Sequence, residues 1–453
     1  MRSKNNARQA SATILEKWQR LRPTTRPPLS KICSQFLDKM HIEGLDRSLA
    51  AELCFGTVRW KRLLDWHLNR HLTSSIKKLP VFVQCVLESG LYQIFFLDRV
   101  PVSAAVNEAV NTVRVKYPWA KGLTNAVLRR LSKLKGDHTS IFNPAGLNNE
   151  DIASNIGIVT SHPNWMVKRW IECRGVDATR ELCIANNQRP PLTLRVNSLK
   201  TTRENMLDAL SRQGIAAIPG QLSPHAVIIT ESSGNPAELP GYDEGWFQVQ
   251  DEAAQVVADC ISPKPEMKIL DVCAGVGGKT THIAQLAEDK AEIIAIDKDA
   301  GRLKKLQENA SRLDIKGIKI FTSQEFDHIS DNYALFDRIL IDAPCSGLGV
   351  IRRHPDIKWN RQPEDISFLA SIQLKLLAKY APMLKPGGLL VYSTCTLEPE
   401  ETSGVAEKFL ESEESNNIKK ILETNSDILT NSIDQKQYPR PDHFFIAVFK
   451  KGL

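Results

Sequence analysis

The sequence predicts a multidomain protein with an all-α N-terminal domain, a small α+β module and a doubly wound α/β domain. Apolar residues recur at helical spacing up to about residue 136, whereas from Met267 onward short apolar strands alternate with helical stretches. Charge is split the same way: residues 1–140 hold 24 Lys and Arg against 10 Asp and Glu, and the remainder holds 35 against 42. Two cysteines, Cys345 and Cys395, stand where two of the C-terminal strands end.

A chain of 453 residues accommodates about three domains. Nine scattered cysteines, none spaced Cys-x-x-Cys, exclude a disulfide framework and a structural zinc site, so no metal is expected. No apolar run approaches the ~18 residues of a membrane span, and Met1-Arg2-Ser3-Lys4-Asn5-Asn6 lacks the apolar core of a signal peptide. The expectation is a cytoplasmic protein with no membrane partner. A basic first domain on an acidic remainder points to recruitment of a polyanion, nucleic acid above all.

Residues 1–137 read as helices, with Pro27-Pro28, Pro80 and Pro101 marking the connections. Cys54 and Cys85, inside apolar helical patterns, read as small buried hydrophobes. Basic clusters at Arg59-Trp60-Lys61-Arg62 and Arg129-Arg130 sit among aromatics of the kind that stack on bases, although Trp60 also suits a core, and Trp66 suits it better. Residues 138–160, rich in Asn, Ser and Gly, read as a linker. Residues 161–250 form the small module, able to lay a sheet beside a substrate. Trp165 to Trp170 is amphipathic, strands are expected at 190–197, 226–230 and 246–250, and Thr201-Thr202-Arg203-Glu204 reads as a capping box opening a helix through Leu210. In residues 251–453, strands are expected at 269–273, 293–297, 318–322, 336–342, 389–394 and 444–449. Helices fill 280–287, 300–313 and 366–384, the pattern of a parallel sheet covered on both faces. Ligands of such sheets bind beyond the carboxyl ends of the strands.

The first of these strands runs into Asp271-Val272-Cys273-Ala274-Gly275-Val276-Gly277-Gly278-Lys279-Thr280. Its glycines let backbone approach a ligand at a helix N-terminus. Thr280 stands where a dinucleotide fingerprint has its third glycine. With Asp297 ending the next strand as an acceptor for ribose hydroxyls, the pattern fits a dinucleotide or S-adenosylmethionine. The cysteines choose between them. Carbon 5 of cytosine is a poor nucleophile until a thiolate adds at carbon 6. One cysteine is then needed as nucleophile and a second can assist its departure, whereas hydride transfer has no use for the pair.

At this point the chain resembles a known family. Leu194-Arg195-Val196-Asn197, Phe247-Gln248-Val249-Gln250-Asp251-Glu252-Ala253-Ala254-Gln255, Asp342-Ala343-Pro344-Cys345, Ile351-Arg352-Arg353-His354-Pro355-Asp356-Ile357-Lys358-Trp359 and Ser393-Thr394-Cys395-Thr396 are similar to tracts of the RNA cytosine-C5 methyltransferases of the NOL/NOP/Sun type. The resemblance covers nearly the whole chain. It implies a NusB-like N-terminal RNA-binding domain, an RNA-binding N1-type module, and a Rossmann-like catalytic domain using S-adenosylmethionine. It further implies methylation of carbon 5 of a cytosine in small-subunit (16S) ribosomal RNA through a covalent cysteine adduct, by a monomer, with the target base flipped out of its stack.

By that resemblance Cys395 is the nucleophile, Cys345 assists product release, and Asp342 lies between cofactor and target base. Cys273, Ala274, Gly275, Val276, Gly277, Gly278 and Lys279 form the cofactor loop, and Asp297 holds the ribose. Two departures stand out. Gly275-Val276 replaces the family's Ala-Pro, loosening the loop. Ser323, followed by Gln324, occupies the position of an adenine-contacting acid. Cys273 itself is expected to point into a packed layer. Arg352-Arg353-His354 reads as a solvated or RNA-facing loop at the rim of the target pocket. A ribosomal RNA chaperone without catalysis, built on the same basic domain, is the alternative from another class, and a nicotinamide oxidoreductase is the weaker third.

Overall fold

A computed structural model describes residues 7–143, 147, 151–231, 234–330, 333, 335–430 and 438–453. Internal contacts divide the chain into two compact units, Met1–Arg189 with Ile351–Pro363, and Pro190–Val350 with Glu364–Leu453.

The second unit contains two sheets. The smaller is wholly antiparallel, with strands β1 (Leu192–Val196), β2 (Ala217–Pro219), β3 (Ala226–Ile229) and β4 (Phe247–Val249) in the order β2-β3-β1-β4. Its helix, Arg203–Arg212, is capped by Thr202, whose hydroxyl accepts from the Asn205 amide. The cap therefore sits one residue later than the Thr201–Glu204 spacing predicts, and Glu204 falls in the first turn instead of closing a capping box. The three-residue β2 escapes sequence reading because Ala-Ile-Pro is too short to show alternation.

The larger sheet contains β5 (Lys268–Asp271), β6 (Glu292–Asp297), β7 (Ile318–Thr322), β8 (Phe336–Asp342), β9 (Leu384–Thr394), β10 (Ile418–Asn425) and β11 (Phe445–Lys451), in the order β10-β11-β9-β8-β5-β6-β7. The strands from β5 to β9 are parallel, whereas β11 runs antiparallel to both β9 and β10. The expectation of an all-parallel sheet thus fails at its last predicted strand, and β10 was not expected at all. A register shift between Lys420 and Leu422 breaks the alternation of that edge strand and leaves Ile421 and Leu422 exposed. The helix expected at 366–384 is Pro363–Tyr380. Apolar runs such as Ile339-Leu340-Ile341 are buried, as parallel strands covered on both faces require. The chain winds outward one way through β6 and β7 and the other way through β8 and β9, so a crevice opens between the ends of β5 and β8.

The first unit is helical, with Ala7–Arg20, Leu29–Lys39, Gly44–His71, Val81–Phe96, Val102–Lys116 and Ala120–Leu131 as its main helices. Pro28, Pro80 and Pro101 each stand at the N-cap of a helix, where a missing N–H costs nothing. Val81–Phe96 is apolar on nearly every side and forms the centre. Its buried Glu88 pairs with Lys61 at 2.6 Å and accepts from Gln19 at 2.8 Å. Cys54 and Cys85 are buried, as expected. Two short helices, His138–Phe142 and Ile152–Val159, lie in the stretch read as a linker, of which residues 144–146 and 148–150 are outside the described residues.

Two expectations need correction here. The Arg59–Arg62 cluster is not a free basic face. Arg59 donates to the Arg352 carbonyl at 2.6 Å, Lys61 pairs with Glu88 and Asp65, and Arg62 donates to the His162 carbonyl and the Ser154 hydroxyl. Trp60 is stacked on Phe96 with centroids 4.8 Å apart. Nor is the tract from Ile351 to Pro363 a wholly solvated loop, because it folds as part of the helical unit. Lys358 is 1% exposed and donates to the Arg59 carbonyl at 2.7 Å and to Asn187 Oδ1 at 3.1 Å. Trp359 Nε1 donates to the Val58 carbonyl at 2.8 Å. Of the three residues expected in a solvated loop, Arg352 is buried and His354 is exposed.

Asp356 in this tract caps a helix from outside. Pro28 offers Leu29–Lys39 no side-chain cap, and Asp356 Oδ2 accepts from the Leu29 amide at 3.0 Å. Losing a cap typically costs about 1 kcal/mol. Asp356→Ala is therefore expected to lower the stability of the helical unit by about that amount, read as a lower urea midpoint for loss of helical circular dichroism. Asp356→Asn, which keeps the acceptor, should lose less.

Candidate active site

The carboxyl ends of β5, β6, β8 and β9 converge on a cavity of about 480 Å³. Between β5 and helix Gly278–Leu286 the chain passes through Gly275 at φ +57° and Gly277 at φ +84°. At Gly277 a Cβ would also lie 2.6 Å from Leu306 Cγ, so conformation and space both demand glycine. Asp297, at the end of β6, accepts from the Gly275 amide at 2.9 Å and the Asp299 amide at 2.8 Å, fixing the loop against the strand. Asp271, at the end of β5, is 1% exposed and accepts from Thr280 Oγ1 at 2.7 Å, while its Oδ1 is buried without a partner. Burial pushes its pKa up to about 7.

All the expected loop residues from Cys273 to Lys279 except Gly277 line this cavity, together with Asp297, Ser323, Asp342, Cys345 and Cys395. Ser323 opens helix Ser323–Ile329 and faces the cavity, whereas Gln324 is exposed. Burial raises the Cys273 thiol pKa. Lys279 donates to Asp342 Oδ2 at 2.7 Å, and Ser393 Oγ donates to Oδ1 at 2.7 Å, so Asp342 is held on both sides. The donor set fits S-adenosylmethionine. Asp297 beside the glycine turn would hold the ribose, the unpartnered Asp271 oxygen would accept from the amino-acid ammonium, and Ile372 and Leu376 supply an apolar wall.

The sulfurs of Cys345 and Cys395 are 3.2 Å apart. Their loops are tied together by Ser346 Oγ and Thr396 Oγ1 at 2.8 Å, and by the Gly349 amide donating to the Cys395 carbonyl at 3.0 Å. Glu401, fully buried, accepts from the Ser346 amide at 2.8 Å and from Gln373 Nε2 at 3.0 Å. Gln373 also donates to the Pro344 carbonyl and accepts from Tyr392. The contact with Cys395, then burial, raises the Cys345 pKa, so Cys345 stays a thiol.

Sequence reading missed Glu401, Gln373 and a role for Arg195. Glu398-Pro399-Glu400-Glu401 looks like a solvated acidic run, yet Glu398 and Glu401 are buried. Arg195 on β1 is fully buried and makes no ion pair among the described residues. It donates to the Gly278 carbonyl, to Gln250 Oε1 and to Thr281 Oγ1, and burial lowers its pKa to about 9. Next to it, the Val196 carbonyl accepts from Gln285, and Asn197 Nδ2 donates to the Gly245 and Leu313 carbonyls. An arginine set inside the apolar strand tract Leu-Arg-Val-Asn was the available signal. The small sheet thereby braces the helix that follows the glycine loop.

A doubly wound sheet with a nucleoside-sized cavity at its switch point, a glycine turn and acid-ended strands defines a domain that binds a nucleoside-type cofactor, and the family matches make it a methyltransferase domain. Residues 258–450 match the family model of the 16S rRNA methyltransferase RsmB/F, residues 5–133 that of the NusB family, and residues 162–234 the ferredoxin-like domain of RsmF/B-like methyltransferases. The chain is 37% identical to the probable ribosomal RNA small subunit methyltransferase B of Synechocystis over 92% of its length and 94% of that protein's. It is 39% identical to the ribosomal RNA small subunit methyltransferase B of Pseudomonas putida over 83% of each chain. Among solved structures, a methyltransferase homologue from Pyrococcus horikoshii aligns with a TM-score of 0.57 at 27% identity, covering 67% of this chain and all of that one. The crystal structure of PH0851 shares the fold with a TM-score of 0.78 over 98% of both chains, at 22% identity. The protein belongs to the 16S rRNA methyltransferase RsmB/F family.

Because Arg195 reaches the loop backbone and not the cavity, Arg195→Ala is expected to act through cofactor positioning. In a methyltransferase assay it should raise the KM for S-adenosylmethionine by about tenfold, the cost of roughly one charged hydrogen bond, and leave the KM for RNA near its original value.

Proposed function

We propose that the protein methylates carbon 5 of a cytosine in small-subunit ribosomal RNA, using S-adenosylmethionine and a covalent bond from Cys395 to carbon 6 of the base. The observation that carries this reading is the pair of sulfurs 3.2 Å apart on the wall of a cavity that also holds Asp297 and the glycine turn. Bound S-adenosylmethionine supplies the electrophilic methyl group that carbon 5 takes. Before that, Cys395 as a thiolate adds to carbon 6 and pushes the ring electrons toward carbon 5. Asp342, fixed by Lys279 and Ser393, positions the base. Afterwards the carbon-5 proton leaves and the carbon–sulfur bond breaks, restoring the ring. Cys345, whose sulfur lies 3.2 Å from that of Cys395, is placed to assist that release, the carbon-5 proton passing to solvent. A chaperone without catalysis has no need for two converging thiols.

RNA containing 5-azacytosine tests the assignment, since the substituted ring cannot release the enzyme after methyl transfer. A denaturation-resistant protein–RNA complex is expected, and Cys395→Ser should abolish it. Cys345→Ala should instead accumulate the complex on ordinary RNA. Loss of the complex in Cys345→Ser alone would reverse the two roles. Absence of both complex and methyl transfer in the unaltered protein would favour the chaperone.

The Asp271 carboxyl, with its pKa at about 7, gives the site a pH dependence. Its ionised form, which holds the cationic ammonium, dominates only above that value. Affinity for S-adenosylmethionine by calorimetry is therefore expected to weaken as pH falls through about 7 and to level off above it. Asp271→Asn should bind weakly with no such slope.

A further inference from the structure

The basic surplus of the helical unit cannot act through Arg59, Lys61 and Arg62, which are engaged with groups inside the unit. It concentrates elsewhere. Residues 109–136 contain seven Lys and Arg and no Asp or Glu. Within this stretch helix Ala120–Leu131 buries Ala120, Thr124, Val127, Leu128 and Leu131, so Lys121, Arg129 and Arg130 are turned outward. Lys121 and Arg129 lie on one face about 12 Å apart along the axis. Arg114, Lys121, Arg130 and Lys133 are exposed and form no ion pair with any described residue. Arg129 meets only Asn125, at 3.0 Å.

At the head of this helix stands Trp119, 60% exposed, the one tryptophan of the chain's eight on the surface. It meets Tyr117 edge-on, with centroids 6.4 Å apart, which leaves its ring otherwise open. The exposed apolar surface beside it is little more than Val115, too small for a stable protein interface. Although Lys116 nearby pairs with Glu16, a flat aromatic ring at the end of a set of exposed cations matches single-stranded RNA, whose unpaired bases stack on aromatics while its phosphates follow the charges.

We propose that the outer face of helix Ala120–Leu131, with Arg114 and Trp119 at its head, binds a single-stranded segment of the RNA substrate, Trp119 stacking on an unpaired base. This rests on the reading of ribosomal RNA as substrate. The test measures binding of the full-length protein to protein-free small-subunit ribosomal RNA over a range of salt concentrations. Trp119→Ala is expected to weaken binding by about tenfold, within the range of one lost base stack, and Trp119→Phe should stay within about threefold of the unaltered protein. Arg129→Glu with Arg130→Glu should weaken binding and make the slope of log affinity against log salt shallower by about 1.4, the value for two phosphate contacts on a single strand. An unchanged urea midpoint for loss of helical circular dichroism in every variant would show that the helical unit is intact.

If Trp119→Ala and the double charge reversal both bind RNA like the unaltered protein, the proposal is overturned, and a protein partner becomes the reading of this face. If the unaltered protein binds the RNA through this face but transfers no methyl to it, the face stands and the catalytic reading fails. If the unaltered protein does not bind the RNA, both fall.

Discussion

The register between β8 and β9 is the constraint on which the candidate active site depends. Asp342 pairs with Ser393 in the parallel ladder, and the Ala343 amide donates to the Ser393 carbonyl at 2.9 Å. Two strands that end in step deliver Cys345 and Cys395 side by side, although fifty residues separate them in the chain. A slip of one residue would turn every side chain of one strand to the opposite face and part the sulfurs. The buried runs of β8 and β9 hold the register, because any shift would take apolar side chains out of a close-packed layer.

Beyond the strands, hydrogen bonds that few exposed groups could maintain set the remaining geometry. Glu401 and Gln373 fix the loop bearing Cys345 through its backbone, and the hydroxyls of Ser346 and Thr396 join that loop to the one bearing Cys395. On the side of the glycine turn Arg195 grips the helix that follows it, so the small sheet contributes to the geometry of the candidate site. These interactions are polar and buried, and each is worth more there than in water because nothing competes for its partners.

The helical unit shows the same division between internal and external charge. The tract Ile351–Pro363 departs after Val350 in one unit and is folded into the other, with Lys358, Trp359 and Asp356 all bonded to backbone groups of the helices. Basic residues that look alike in sequence therefore do different things. Lys61 neutralises a buried Glu88, whereas Arg130 faces solvent.

Sequence alone determined the alternation of strands and helices, the residues at the strand ends, and the tracts that mark the family. These are local signals, since periodicity and turn chemistry are written over a few residues. It did not determine that β11 turns antiparallel or that β10 pairs at the edge, because strand direction depends on partners chosen across the sheet. Nor could it distinguish Glu401 and Arg59 from solvated charges. Burial is a property of what packs around a residue, and the same acidic or basic run is compatible with either environment until the fold is complete. Only the tertiary structure decided which charges face inward, and it brought two sulfurs to 3.2 Å through a ladder register that no single strand encodes.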